Sequence, residues 1–182
     1  MIISTQAQFD EEANKGTYFF TFAPDFYILE INTFPVPLIY IHTNNICYIT
    51  VKGNSNVYLS GSSISADFLE NSSGIIDVTE VTTINCFDDS HVILRGLSYA
   101  DCYDNSQVTV FSQGATAHLY DNSTCISYSG TVLVEDSNAT VRAYGQSFVG
   151  TTSEFNHIDA FHDTVVSSPT TKNITLHRLD KH

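Results

Sequence analysis

The sequence predicts an all-β chain, a single-domain β-solenoid (β-helix) of about 16 residues per coil with a short N-terminal helical cap and an irregular C-terminal cap. Three observations lead there. Turn-like segments recur at Cys86-Phe-Asp-Asp-Ser90, Cys102-Tyr-Asp-Asn-Ser106, Leu119-Tyr-Asp-Asn-Ser123 and, in degenerate form, Val134-Glu-Asp-Ser-Asn138. A second series lies between them: Val110-Phe-Ser-Gln-Gly114, Ser127-Tyr-Ser-Gly130 and Ala143-Tyr-Gly-Gln-Ser147. Two short units thus make one period, the mark of a repeat architecture. Between turns the chain alternates, with Val108 and Val110, then Ala115, Ala117 and Leu119, then Val141 and Ala143 set two apart. Period-two alternation places strands half-buried on a core. Asn, Asp, Gly and Ser suit the corners because they bond nearby backbone or tolerate positive φ.

The elements follow in chain order. A length of 182 residues fits one domain, and 42% hydrophobic residues exclude disorder as the main state. Residues 1–50 read as an N-terminal cap with lead-in strands. Thr5-Gln-Ala-Gln8 has the form of a capping box and predicts a short helix over 5–14. Tyr18 to Tyr48, interrupted by Pro35 and Pro37, reads as two or three strands. Residues 51–150 are the repeats proper, with looser copies at Val51-Lys-Gly-Asn-Ser55, Leu59-Ser-Gly-Ser-Ser63 and Leu69-Glu-Asn-Ser-Ser73. Residues 151–182 carry Pro169, four histidines and an amphipathic stretch around Ile158, Phe161 and Val165. They read as a C-terminal cap, or as an arm that exchanges strands in a homo-oligomer.

Stacking makes residues one period apart neighbours. Cys86, Cys102 and Leu119 should superpose in the core. Phe87, Tyr103 and Tyr120 should form one aromatic ladder, and Phe111, Tyr128 and Tyr144 another. Cys47, Cys86, Cys102 and Cys125 match no metal or redox spacing and are expected to be free thiols.

The opening Met-Ile-Ile-Ser-Thr-Gln-Ala-Gln-Phe-Asp and the units Cys102-Tyr-Asp-Asn-Ser-Gln-Val108, Leu119-Tyr-Asp-Asn-Ser-Thr-Cys125 and Ala143-Tyr-Gly-Gln-Ser-Phe-Val149 carry a resemblance. They resemble β-solenoid proteins of phages and bacterial mobile elements, whose repeats have the form Val-x-Ala-Tyr-Asp-Asn-Ser-x-Val. The resemblance covers roughly the first dozen residues and about half the chain through the repeats. It implies the solenoid architecture and a phage or mobile-element source. The degenerate copies before Cys86 depart from the pattern.

Charge narrows the function. Seven Lys and Arg face 20 Asp and Glu, for a net of -13, and the stretch Gly53–Val141 holds eleven acidic residues and one basic residue, Arg95, for a net of -10. Direct binding to a nucleic-acid backbone or an anionic membrane needs the opposite sign. There is no run of about 18 apolar residues for a membrane helix. The N-terminus lacks the basic and apolar regions of a signal peptide, so the expected location is the cytoplasm of a host cell, or a virion.

No nucleophile elbow, phosphate loop or dinucleotide fingerprint is present. Paired carboxylates on neighbouring coils could cleave a polysaccharide. The short units leave no room for groove-building loops, and Arg95 is the sole base in the middle, so this reading ranks last. The calcium β-roll pattern is absent, and His157 and His162 lack helical ligand spacing. No metal or cofactor is expected. The first expectation is therefore a non-enzymatic acidic protein that presents a rigid negative face to a basic, nucleic-acid-binding protein partner, as an inhibitor or DNA mimic. The pentapeptide-repeat proteins that bind gyrase offer an analogy of shape and charge, although their repeat is absent here. The candidate contact residues are Asp88, Asp89, Asp104, Asp121, Glu135 and Asp136; Asp88, Asp89, Asp104 and Asp121 are expected at exposed corners, where charge reversal leaves the fold intact. The alternative is a structural or adhesive module that binds glycans through the Tyr and Phe ladders.

Overall fold

The computed structural model describes residues 1–34, 37–135 and 138–177. Its elements in order are β1 (Ile2–Ile3), α1 (Gln6–Asn14), β2 (Phe19–Phe22), β3 (Ile28–Asn32), β4 (Ile39–Thr43), β5 (Cys47–Lys52), β6 (Asn56–Gly61) and β7 (Ile64–Phe68). Then follow β8 (Ser73–Cys86), β9 (His91–Cys102), β10 (Gln107–Val110), β11 (Thr116–Leu119), β12 (Thr124–Val134), β13 (Thr140–Thr151), β14 (His157–Phe161), β15 (Val165–Ser167) and β16 (Ile174–His177). All strand pairs among the described residues are parallel, and the chain is a β-solenoid of about 10 turns, ~17 residues apart.

Each coil gives one strand to each of two stacks. One stack runs β1, β2, β4, β6, then the first halves of β8 and β9, then β10, the first halves of β12 and β13, β14 and β16. The other runs β3, β5, β7, the second halves of β8 and β9, then β11, the second halves of β12 and β13, and β15. Inward residues of both stacks form one continuous core. Phe20, Ile41, Leu59, Ile76, Leu94 and Val110 stand in register on one side. Ile31, Val51, Phe68, Cys86, Cys102, Leu119 and Val134 stand in register on the other, which includes the expected Cys86–Cys102–Leu119 column. All four cysteines are buried and free.

Stacking extends beyond residues 51–150. The lead-in strands already pair coil on coil from β1, and β14–β16 continue the same stacks. The coil that leads from Phe20 to its partner Ile41 is longer than those that follow it in the same stack. That irregular start hides the period in the N-terminal part of the sequence.

The corners set the register. Gly61 and Gly96 have φ of 118° and 74°, and a Cβ there would overlap the carbonyl of Thr43 or Val78 on the preceding coil. Such corners require glycine. At the opposite corner a row of serines, Ser72, Ser90, Ser106 and Ser123, is fully buried. Their hydroxyl oxygens have no hydrogen-bond partner. One coil on, Ala139 takes the same position beside Thr140, which pairs with Thr124.

The N-terminal end is sealed by side chains. Thr5 caps α1 and accepts from the backbone N–H of Gln8. The amide of Gln6 accepts from Glu30 N (2.8 Å) and donates to Glu30 O (2.7 Å), and so takes the place of a neighbouring strand beside β3. The amide of Gln8 does the same for β1, with Ser4 N at 3.0 Å and Ile2 O at 3.3 Å. Phe9 and Ala13 lie buried over the first coil. An open strand edge invites further pairing, and this helix blocks it.

Two substitutions test the stacking. Leu119→Asp is expected to unfold the chain cooperatively, since an unpaired buried carboxylate costs several kcal/mol; an unchanged melting temperature would refute the register. Ser106→Ala is expected to leave the melting temperature unchanged or raise it, because it removes a buried hydroxyl that has no partner.

Candidate functional site

The corner that follows the second stack carries the acidic residues. Glu70, Asp88, Asp104 and Asp121 occupy equivalent positions and adopt left-handed φ of 61°, 56°, 57° and 53°. Asp and Asn enter this region at lower cost than most side chains. Each carboxylate reaches back one coil to accept a backbone N–H. Glu70 accepts from Gly53 N (3.1 Å), Asp88 from Glu70 N (2.9 Å), Asp104 from Asp88 N (3.2 Å) and Asp121 from Asp104 N (3.2 Å). The row is thus a chain of charge-assisted hydrogen bonds.

These contacts give the corner carboxylates a structural role that the sequence did not reveal. They are exposed, and they also satisfy backbone donors that the turn leaves unpaired. They explain how like charges stack, since each N–H dipole lies between successive carboxylates. Asp89 lies beside them and accepts from Asn105 Nδ2 at 3.4 Å. Asp136 lies outside the described residues.

The acidic row borders the outer face of the second stack. Asp67 accepts from the Tyr48 hydroxyl and from Asn85 Nδ2 (2.8 Å). Asp101 and Glu135 flank His118, with Nδ1 3.9 Å from Asp101 Oδ1 and 3.8 Å from Glu135 Oε1. The Tyr99 hydroxyl lies 3.0 Å from the same nitrogen. Burial, with the neighbouring Asp101 charge, pushes the Tyr99 phenol up to about 12. The hydrogen bond to Asp67 pushes Tyr48 up to about 12. Asp67, Asp101 and Glu70 were not among the residues singled out by sequence. Glu70 could have been found by shifting the loose copy one residue, since Phe68-Leu-Glu-Asn-Ser72 matches Cys86-Phe-Asp-Asp-Ser90 and sets Glu70 opposite Asp88.

Phe87, Tyr103 and Tyr120 form the expected ladder beside the acidic row, with centroids 5.2 and 4.8 Å apart and planes within 10°. Phe111, Tyr128 and Tyr144 form the second ladder at 4.9 and 5.4 Å. It continues through Phe161 and His177, which the sequence did not reveal, at 4.6 and 4.3 Å. Arg95 lies 5.9 Å over the Phe111 ring at its other end. The stacked rings turn their faces to one another and their edges outward. A sugar packs on an aromatic face, so a continuous ladder offers it little beyond the terminal rings.

At the far end of the first stack, Asp159 lies 3.6 Å from His157 Nε2 and 3.5 Å from His177 Nε2. No group of three or more His, Cys, Asp or Glu among the described residues is arranged to hold a metal ion. None of the described helices is long and apolar enough to cross a membrane. Comparison with protein-family models, curated proteins and solved structures finds no match.

Two outcomes follow from this chemistry. Asp104→Asn keeps an oxygen for Asp88 N and a residue that tolerates φ of 57°, and should melt near the wild type. Asp104→Ala loses the acceptor and adds a left-handed strain of about 1–2 kcal/mol, so it should melt several degrees lower. Equal melting of the two variants would show that the hydrogen-bond row contributes nothing. In alkali, burial pushes the Cys47 thiol up to about 12 and holds Cys86 and Cys125 well above the usual range. Groups that keep their protons more tightly when folded stabilise the fold below their unfolded pKa. That stabilisation is lost as pH rises through the folded value. The melting temperature should therefore hold through about pH 8.5 and fall progressively from about pH 9 toward 12.

Proposed function

We propose that this chain is a non-enzymatic binding protein whose acidic corner occupies the nucleic-acid-binding surface of a basic protein partner and thereby inhibits it. The supporting observation is the gathering of charge on one side. Asp67, Glu70, Asp88, Asp89, Asp101, Asp104, Asp121 and Glu135 lie along one corner row and the adjoining outer face. Arg95 lies on the other stack, over Phe111.

The charge density suits the role. The eight carboxylates span five successive coils, about 19 Å over four intervals of about 4.8 Å. That is one charge per about 2.4 Å, between the roughly 1.7 Å of the DNA duplex and the roughly 3.4 Å of one of its strands. The hydrogen-bond row fixes the carboxylates on a rigid edge, so little side-chain entropy is lost on binding. The resemblance to phage and mobile-element solenoids fits an inhibitor that acts inside a host cell.

The test is capture on the immobilised chain from a bacterial lysate, with elution by salt or by duplex DNA. DNA-binding proteins are expected to be retained at low salt and displaced by the duplex. The combined variant Asp88→Asn, Asp104→Asn, Asp121→Asn should keep the fold and lose most of this retention, because neutral amides preserve the backbone contacts and remove the charge. Retention indifferent to salt, duplex and these substitutions would overturn the proposal. So would depolymerisation of a bacterial polysaccharide that the same substitutions abolish.

A further inference from the structure

On β3 and β5 the outer face of the second stack is apolar. Ile28 and Tyr48 pair in register and point outward, and Tyr27 and Ile46 immediately precede the two strands. All four are exposed, Ile28 at 70% and Ile46 at 76%. With Cys47 and Ser65 they line an open cleft of about 440 Å³. Single exposed apolar residues are ordinary, but four around one cleft mark a binding surface. The role proposed for the acidic corner makes no use of it.

Carboxylates adjoin the cleft. Tyr48 lines it and donates its hydroxyl to Asp67 on the next coil. Ser63, one coil on from Ile46, donates to Glu80 (2.7 Å). Those donors are neutral, so no base offsets either carboxylate there. Glu30 lies two residues beyond Ile28 on the same face and is bound by Lys52 at 3.0 Å. From Asp67 the outward column runs through Asn85 to Asp101, and so leads from the cleft into the acidic face.

We propose that the cleft receives one large apolar side chain of the same basic partner, carried at the end of a run of about six residues rich in lysine or arginine. This rests on the acidic corner as that partner's contact. Charge complementarity and continuity select the occupant. The carboxylates at the rim favour basic neighbours for the inserted side chain and repel an anionic lipid surface. A second copy seated by its own cleft would bring the same carboxylates to the same rim. The cleft and the corner row lie at opposite edges of one face. Tyr48 and Gly53, whose N–H the row's Glu70 accepts, are five residues apart, about 16 Å at about 3.3 Å per residue. An extended segment of about six residues covers about 20 Å. The apolar anchor supplies the part of the affinity that salt does not screen.

Two peptides of six lysines test this, one ending in tryptophan and the other in serine. The chain has no tryptophan, so the indole emission reports the peptide alone. The tryptophan peptide is expected to bind about tenfold more tightly, with its emission shifted to shorter wavelength. Ile28→Ser combined with Ile46→Ser should abolish the preference and the shift and keep the serine peptide's affinity. The melting transition should be kept too, because both side chains are mostly exposed. Ile46→Ser alone, at a residue outside the strands, should act in the same direction. The combined variant Asp88→Asn, Asp104→Asn, Asp121→Asn should weaken both peptides together and leave their ratio unchanged. Equal affinities on the unmodified chain, an unshifted emission, or a preference that survives the double substitution would each overturn the inference while the acidic corner stands. Affinities indifferent to salt and to the three Asn substitutions would instead overturn the corner reading, and with it the occupant inferred here.

Discussion

In-register parallel stacking is the constraint on which everything else depends. Each residue sits about 4.8 Å from its counterpart one coil away, so like meets like along the whole axis. This favours side chains that tolerate their own kind. Apolar residues make the core columns, and aromatic rings make ladders such as Phe111 to His177. The same geometry is hostile to charge, since carboxylates in a row repel. The sequence nevertheless places an acid at four successive equivalent corners, Glu70, Asp88, Asp104 and Asp121.

The left-handed turn resolves that conflict. It leaves a backbone N–H unpaired on each coil, and the carboxylate of the next coil accepts it. The repulsion of the row is offset by a donor at every step, and the backbone is satisfied at an exposed corner. One residue type thus serves both fold and surface. This is why amide and alanine substitutions at these corners are physically different: the amide keeps the hydrogen bond and removes the charge, and alanine removes both. A rigid, evenly spaced negative edge is a by-product of that turn chemistry, and the proposed binding role uses what the fold already requires.

The polar corners on the inside follow a different rule. Ser72, Ser90, Ser106 and Ser123 are buried with unpartnered hydroxyls, whereas Ala139 fills the same place one coil later. The hydroxyl is therefore not what the position selects, and one coil further Asn156 fills it, buried and hydrogen-bonded to Thr151 and Ser153. The ends obey the edge rule. Glutamine amides replace a strand at one end, and at the other β15 and β16 have no further strand partner among the described residues.

The sequence by itself determined the solenoid, the cysteine column, both aromatic ladders as far as Tyr144, and the helix that opens the chain. The helix was announced by its capping residues, and the other features repeat at a nearly constant interval between Cys86 and Tyr144 and so can be read along a line. Only the tertiary structure decided which groups meet where the period fails. The coils before Cys86 include the long one from Phe20 to Ile41, which concealed the period of the earlier strands, and a one-residue slip in the loose copy at Leu69 hid the place of Glu70 in the acidic row. Phe161 and His177 join a ladder because strand pairing sets their register, although no repeat motif surrounds them. The same holds for Asp67 and Asp101, which are single outward positions on alternating strands. The sequence showed where the corner carboxylates recur, but their hydrogen bonds run to backbone atoms a full coil away. Backbone donors carry no side-chain signature, so their partners are fixed by coil geometry alone.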